Sequence, residues 1–302
     1  MKLTDKSLEE IRKLTIISLF SDDDLMDILV LKGGNALELA YKLNSRASMD
    51  IDVSMEKDFA DFGLTVEDVK EKLEKRLSIT FEEANYKIFD VKLVERPKAK
   101  KRLEDLNWGG YSAEFKVISK EDYERIGENI DQLRRESLVV AGDKKVIKID
   151  ISKYEFTSPS EETEFHDYFI KVYSPRMIVF EKLRAICQQM KEYTQTVKSS
   201  QTPRARDFFD IYVIIENLEP NLDFTSPENQ DLIKNFFEVK NVPLHLLGEI
   251  KNHETKEFHE QAYATLKNTV KASDNLREFD FYHDYVSTKV EDLKELWSQR
   301  SK

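Results

Sequence analysis

The fold is decided by residues 28–54, which read ILVLKGGNALELAYKLNSRASMDIDVS. A strand-like run at residues 27–31 leads into the pair Gly33-Gly34, which is typical of a tight turn. We expect a helix from residue 36 to about residue 43 after this turn. Residues 50–54 then alternate between polar and apolar side chains, as a half-buried strand does. The segment therefore predicts a strand, a glycine turn, a helix and a second strand.

Asp50 and Asp52 stand two residues apart on the second of these strands. Side chains at this spacing point to the same face, roughly 7 Å apart along the chain, while Ile51 and Val53 face the core. Paired carboxylates repel each other unless a cation lies between them, and their hard oxygens suit Mg²⁺. A surface edge strand with two solvated acids would show the same pattern, so this spacing alone does not decide between the two.

Asp150 belongs to another strand with the same alternation, residues 146–151, whose isoleucines occupy the opposite face. If this strand neighbours residues 50–53, the carboxylates of Asp50, Asp52 and Asp150 share one surface. Three such carboxylates bind two divalent ions, Mg²⁺ or in its place Mn²⁺. That arrangement serves in-line displacement at phosphorus.

The Gly33-Gly34 turn suits an anion, because backbone N–H groups at a helix N-terminus point at it and no Cβ blocks its approach. Asn35 follows as the expected cap of the helix. An ordinary strand-to-helix turn is the other interpretation of an isolated glycine pair. The GxxxxGK[ST] and GxGxxG patterns are both absent, so neither of these nucleotide-binding loops is indicated.

Four short motifs together resemble the AbiEii/AbiGii family of abortive-infection nucleotidyltransferase toxins, within the DNA polymerase β-like nucleotidyltransferase superfamily. In chain order they are Lys32-Gly33-Gly34-Asn35-Ala36-Leu37, then Arg46-x-Ser48-x-Asp50-Ile51-Asp52, then Lys182-Leu183-Arg184-Ala185, and finally Arg206-Asp207-Phe208-Phe209-Asp210-Ile211-Tyr212. The family more often has Thr or Ser where this chain has Asn35. That difference removes a hydroxyl contact to the triphosphate and leaves the backbone cradle.

The pattern of strands and helices predicts an α+β fold, with a catalytic domain at residues 1–165 and an α-helical domain at residues 166–302. The resemblance implies that the first domain is polymerase β-like. It implies transfer of a nucleoside monophosphate from an NTP to RNA, such as the 3′ end of tRNA, which blocks translation. A separately encoded antitoxin protein is the implied partner. The implied nucleotide-binding residues are Lys32, Gly33, Gly34, Asn35, Arg46, Ser48 and Lys182. The implied catalytic residues are Asp50, Asp52, Lys182, Asp207 and Asp210, and the strand pattern adds Asp150 to them.

Lys182 interrupts an apolar stripe on its predicted helix, where Ile178, Val179, Ala185 and Ile186 are its neighbours. A lysine there extends to water or meets an anion, and beside a carboxylate–metal site we expect the anion to be the triphosphate. Asp207 and Asp210 share one helix face. The sequence leaves open whether they support catalysis directly or hold the helix in place, with Asp210 paired to Arg206.

The composition sets limits on the function. The 302 residues carry 47 Lys and Arg against 58 Asp and Glu, a net charge of −11, which argues against non-specific coating of DNA. A single cysteine, Cys187, no signal peptide and no long apolar run indicate a cytoplasmic protein without a membrane segment. A basic stretch at residues 92–102 is either a solvated turn or a segment that binds RNA phosphates.

Secondary structure changes in character along the chain. We predict a helix at residues 65–77, strands at 79–81 and 85–94, and a last clear strand at 146–151, with helices beyond residue 174.

Two other functions remain open at this stage. One is nucleotidyl transfer to a small molecule such as an antibiotic, and the other is a non-catalytic module that binds nucleotide or RNA.

Overall fold

The computed structural model describes residues 5–43, 50–97, 108–140, 144–197, 199–270 and 276–298, with side chains from residue 7 onward. Helices and strands both contribute to one continuous apolar core in these ranges. The predicted α+β class is confirmed.

Seven strands of the described chain form one mixed sheet, in the order β3-β4-β5-β2-β1-β7-β6. Their bounds are β1 Val30–Lys32, β2 Ile51–Ser54, β3 Tyr86–Arg96, β4 Gly110–Ser119, β5 Ile147–Ser152, β6 Glu161–Phe165 and β7 Tyr168–Val172. In β5 the side chains of Ile147, Ile149 and Ile151 are buried and alternate with partly exposed polar residues. One face of this strand therefore packs into the core and the other is available to a site.

The register of the central strands aligns three charged side chains across the sheet. Strand β2 runs parallel to β5, with Asp52 opposite Asp150. Strand β1 runs antiparallel to β2, with Lys32 opposite Asp52. The three carboxylates can share one surface only if β2 and β5 are neighbours. The structure confirms that they are.

The sequence predicts no strand after residues 146–151, but the structure adds the hairpin β6–β7 to the sheet. Phe165 pairs with Tyr168, so His166 and Asp167 form a two-residue loop, and both have positive φ. Such a loop is usually signalled by Asn-Gly or Asp-Gly, and His-Asp does not carry that signal. Because β7 pairs with β1, the sheet continues past residue 165 and the change to helices comes after Val172.

Helices α1 (Asp5–Phe20), α2 (Asp23–Ile28) and α4 (Val66–Glu83) belong to the N-terminal part. The strand predicted at 79–81 is wrong, because α4 continues through it: Phe81 extends the buried series of Val69, Leu73 and Leu77 at i+4 spacing. Burial of this stripe outweighs the strand preference of Ile79 and Thr80. The expected strand at 27–31 is likewise shortened, since α2 ends at Ile28 and β1 begins at Val30.

Shorter helices complete this half. Helix α3 (Gly33–Asn35) continues into a π-helical turn at Ala36–Ala40, and α5 (Lys120–Ile126) and α6 (Ile130–Glu136) follow β4.

The remaining described chain is helical, as expected beyond residue 174. The helices are α7 Pro175–Cys187, α8 Lys191–Val197, α9 Ala205–Leu218, α10 Pro227–Glu238, α11 His253–Glu260, α12 Tyr263–Lys267, α13 Phe279–Glu291 and α14 Lys294–Ser298. Ser174 caps α7 through its hydroxyl, which accepts from the Met177 N–H, and Pro175 occupies the first turn. None of the described helices combines the length and the apolar character needed to cross a membrane.

Candidate active site

A cleft of about 850 Å³ opens between the sheet and the C-terminal helices, and residues of β1, β2, α7 and α9 line it. Nine Lys or Arg residues and five Asp or Glu residues contribute to its described lining. The nine cations are Arg12, Lys32, Lys144, Lys148, Lys182, Arg184, Arg204, Arg206 and Lys240. The cleft is therefore locally cationic in a chain whose net charge is −11, and it suits a polyanionic ligand.

The three predicted carboxylates lie around the same point of the sheet. Asp52 and Asp150 are directly opposite each other on β2 and β5, and Asp50 immediately precedes β2. Asp50 and Asp52 line the cleft, whereas Asp150 lines a second hollow that adjoins it. The side chains thus come together as the alternation of the two strands predicts.

The environment of Asp52 disfavours its negative charge. Withdrawal from solvent raises the pKa of this carboxyl to about 6, the nearby Lys32 ammonium opposes the shift, and the carboxylates of Asp150 and Asp50 add to it. A site that gathers carboxylates in poorly hydrated surroundings favours a bound cation, which restores the balance of charge.

The carboxylates of Asp50 and Asp52 are suitable ligands for Mg²⁺. Mg²⁺ is usually held by one or two carboxylates together with water and substrate phosphates. Within the described residues, no group of three or more His, Cys, Asp or Glu side chains is arranged to hold a metal ion alone. The Asp150 carboxylate is ion-paired with the Lys148 ammonium on its own strand.

Gly33 lies against the Asp52 side chain. Its φ is +68°, in the left-handed region, and a Cβ atom at this position would stand 2.9 Å from Asp52 Oδ2. Glycine is required here for two reasons, the backbone conformation and the close approach of the carboxylate. The first glycine of the pair therefore fixes the turn beside the acidic residue.

Asn35 ends α3 and precedes the π-helical turn at Ala36–Ala40, at the position expected of a cap, but its side chain makes no capping hydrogen bond. The buried Asn35 amide instead donates from Nδ2 to the Asp50 carbonyl oxygen at 2.7 Å, and its Oδ1 accepts from Arg12 Nη1 at 3.4 Å. Arg12 also forms an ion pair with Glu38. Asn35 therefore connects the glycine turn to the backbone at the start of β2.

Sequence reasoning missed a buried charge cluster on the cleft wall, centred on Glu155. Its carboxylate lies 3.2 Å from Arg184 Nη2, 3.3 Å from Lys240 Nζ and 3.9 Å from Lys32 Nζ. Burial opposes ionisation of Glu155, but these three cations outweigh it and lower its pKa to about 2. Burial lowers the pKa of Lys240 to about 8. The four residues of the cluster come from four separate segments, so no short sequence pattern predicts it.

Lys182 meets two carboxylates of the neighbouring helix α9. Its Nζ lies 2.8 Å from Asp207 Oδ1 and 2.8 Å from Asp210 Oδ2, and Arg204 Nη1 lies 2.9 Å from Asp207 Oδ2. Burial of Asp207 disfavours its charge, yet Lys182 and Arg204 together hold its pKa well below the usual range. Lys182 and Asp207 line the cleft, while Asp210 lies behind them with a side chain only 1% exposed.

Two residues of the predicted nucleotide-binding set, Arg46 and Ser48, lie outside the described residues. The basic stretch at 92–102 is described as far as residue 97, and its part from residue 98 lies outside as well. Trp108 is described and 38% exposed, and it lines both the cleft and the adjoining hollow. Cys187 is fully buried.

A comparison with protein families agrees with the motifs. The family described as "Nucleotidyl transferase AbiEii toxin, Type IV TA system" matches residues 16–285. Among solved structures, an antigenic nucleotidyltransferase-like protein from Paracoccidioides brasiliensis aligns with a TM-score of 0.37 and 16% identity, over 90% of this chain and 97% of that chain. No protein with a curated description matches the sequence.

Proposed function

Because the chain belongs to the AbiEii family of nucleotidyltransferase toxins in type IV toxin–antitoxin systems, we propose that it transfers a nucleoside monophosphate from an NTP to an RNA hydroxyl. The observation that carries the proposal is the row Lys32, Asp52 and Asp150 across three adjacent strands, with Gly33 packed on Asp52. Lys32, Gly33 and Asp52 thereby line one cleft, and Asp150 lies beside Asp52 in the adjoining hollow.

Asp50 and Asp52 are the residues proposed to hold Mg²⁺, with Asp150 contributing to a second ion and Mn²⁺ able to replace Mg²⁺. When bound, these ions neutralise charge on the phosphates during displacement at phosphorus. Lys32 borders Asp52 across the sheet and limits the repulsion among the carboxylates.

The triphosphate is proposed to bind along the Gly33-Gly34 turn. The first N–H groups of a helix have no acceptor within it, so those of α3 can donate to phosphate oxygens. Lys32 adds a cation beside the turn, and Lys182 is proposed to stabilise the charge that develops on the leaving pyrophosphate. Asp207 and Asp210 position Lys182 for this role, which agrees with their distances from its ammonium.

The proposed reaction is a single displacement. The acceptor hydroxyl oxygen forms a bond to the α-phosphorus, the bond from that phosphorus to the β-phosphate oxygen breaks, and pyrophosphate departs with the electron pair. The hydroxyl proton passes to the Asp150 carboxylate. The products are the nucleotidylated acceptor and pyrophosphate, so no oxidant or further reactant is needed.

The proposed acceptor is the 3′ end of tRNA, whose modification would stop translation and explain toxicity in the cytoplasm. Membership of a toxin–antitoxin family implies a cognate antitoxin. No described contact selects a base, so the choice of NTP is left to experiment.

The test incubates the protein with each α-labelled NTP in turn, Mg²⁺ or Mn²⁺, and purified tRNA, total RNA or an aminoglycoside. We expect label in tRNA and a requirement for the divalent ion. Label on the aminoglycoside alone would support a small-molecule transferase instead. Label on no acceptor, together with unchanged growth inhibition by Asp52→Ala, would overturn the proposal.

A further inference from the structure

A second hollow of about 460 Å³ adjoins the cleft at the ends of β4 and β5. The two cavities share four residues of their walls, which are Trp108, Ser152, Glu155 and Lys240. Asp150 lines this second hollow, and Asp52, its partner across the sheet, lines the cleft. The two carboxylates therefore lie on either side of the border between the two cavities.

The chemistry of the hollow is that of a site for a flat ring with polar edges. Pro97, Tyr111 and Ile151 contribute apolar surface, and Trp108 presents an aromatic ring that is 38% exposed. Its volume falls within the roughly 300–1,000 Å³ typical of small-ligand sites. An unpaired base stacks on such a ring irrespective of its identity.

The second glycine pair, Gly109-Gly110, forms the wall beside Trp108. A Cβ on Gly110 would stand 1.9 Å from the Ile151 carbonyl oxygen, and Gly109 has φ +134° with Lys153 Cε 3.2 Å from the position of its Cβ. Only glycine lets β4 approach β5 this closely next to Asp150. The glycine pair therefore fixes the backbone next to Trp108, whose side chain lines the hollow.

The direction of the proposed reaction distinguishes the two cavities. In-line displacement puts the attacking and leaving oxygens on opposite sides of the phosphorus. The phosphate turn follows β1, and Asp150 lies two strands away on β5, a distance of about 10 Å. The leaving pyrophosphate thus belongs to the β1 side, and the attacking hydroxyl belongs to the side of Asp150.

We infer that the hollow binds the terminal nucleoside of the acceptor RNA, with its base against Trp108 and its ribose hydroxyl directed to Asp150. This assignment rests on the proposed nucleotidyl transfer and adds to it the subsite that selects an unpaired RNA end. A base inside a duplex has both faces covered by its neighbours, and the end base of a blunt duplex is held by its pairing partner, so neither enters the hollow as an unpaired base does.

Fluorescence of Trp108 tests the subsite without any turnover. The chain has two tryptophans, and Trp297 lines neither cavity and packs on Gly248. In a Trp297→Phe variant, a short single-stranded oligoribonucleotide without NTP is expected to quench the emission of Trp108. The same RNA as a blunt duplex, and NTP without RNA, are expected to leave it nearly unchanged.

Two outcomes of this titration would overturn the assignment. Quenching by NTP but not by RNA would place the incoming base on Trp108, and quenching by neither would remove Trp108 from binding. Quenching by single-stranded RNA in a protein that transfers no label would support the RNA subsite and contradict the proposed transferase activity.

Kinetics provide the second readout. Trp108→Ala is expected to raise the KM for RNA about 10-fold, since the loss of base stacking weakens binding of the acceptor. The KM for NTP should stay within about twofold, and Trp108→Phe should restore most of the RNA affinity. The matched control is Phe169→Ala, which removes another exposed aromatic ring, on β7. An unchanged KM for RNA in an active Trp108→Ala enzyme would contradict the assignment.

Discussion

Gly33 and Asp52 illustrate how single residues build the site. The positive φ of Gly33 and the 2.9 Å between its would-be Cβ and Asp52 Oδ2 leave no alternative to glycine at this turn. The sequence contained this information only in part, because it showed a glycine pair and an acidic pair without their contact. The register of β1 against β2 supplies the contact.

Gly33→Ala should lower kcat/KM for nucleotidyl transfer about 10- to 100-fold, because it displaces the Asp52 carboxylate from its position. Gly63→Ala is the matched control, since Gly63 has a similar φ of +75° but nothing within 4 Å of its Cβ position. Both variants should lose about 1–2 kcal/mol of unfolding free energy from backbone strain. Equal activities in the two variants would show that the contact with Asp52 is unimportant.

Glu155→Gln should change the dependence of stability on pH. Arg184, Lys240 and Lys32 lower the pKa of Glu155 from 4.5 to about 2, so its carboxylate stabilises the fold above pH 4.5 and loses this effect as the pH falls toward 2. The difference in unfolding free energy between wild type and variant should therefore be largest near neutral pH. Denaturant unfolding at pH 7, 4.5 and 3.5 measures it, and a difference that is constant or grows toward acid pH contradicts the cluster.

At the scale of elements, α7 and α9 carry the side chains that face the sheet across the cleft. The buried Lys182 ammonium between Asp207 and Asp210 joins the two helices. The sequence placed these residues on helix faces correctly through 3.6-residue periodicity. It could not show that Lys182 pairs with Asp210, because that contact depends on how two helices pack.

Asp210→Asn should destabilise the protein by about 1–3 kcal/mol, because the buried Lys182 ammonium loses the charge of one of its two carboxylate partners and keeps Asp207. Asp231→Asn is the control, since it breaks the exposed pair with Lys234 and should cost less than about 1 kcal/mol. Urea unfolding of both variants provides the comparison. A loss for Asp210→Asn as small as that of the control would contradict a structural role for this pair.

Prediction from sequence succeeded where alternation of side chains was regular, as in β2 and β5, and failed where tertiary contacts decide. The hairpin β6–β7 lacks a glycine turn and begins with the polar residues Glu161 and Glu162. The Glu155 cluster joins residues up to 208 positions apart in the sequence, because Lys32 and Lys240 both pair with Glu155. Neither feature leaves a local signal.

At the scale of the whole molecule, an acidic chain surrounds a cationic cleft. A net charge of −11 argues against broad binding of nucleic acid, while the nine cations of the described lining outnumber its five carboxylates and suit a ligand with a few phosphates. For the proposed RNA acceptor, this distribution fits binding of an RNA end better than binding of a long duplex.

The salt dependence of RNA binding should reflect this distribution. We expect a plot of log K against log salt concentration with a slope of about −2, which corresponds to about three phosphate contacts on single-stranded RNA. Fluorescence anisotropy of a labelled oligoribonucleotide at several salt concentrations measures the slope. A slope of about −5 or steeper would indicate an extended basic surface and contradict an end-binding site.

We propose that the carboxylates on β2 and β5 catalyse nucleotidyl transfer. The most direct measurement compares α- and γ-labelled NTP in the presence of divalent ion and tRNA, for wild type and for Asp52→Asn. We expect that the α-label enters the RNA, that the γ-label leaves as pyrophosphate, and that Asp52→Asn transfers none while remaining folded. Equal transfer by Asp52→Asn, or entry of the γ-label into the RNA, would contradict the proposal.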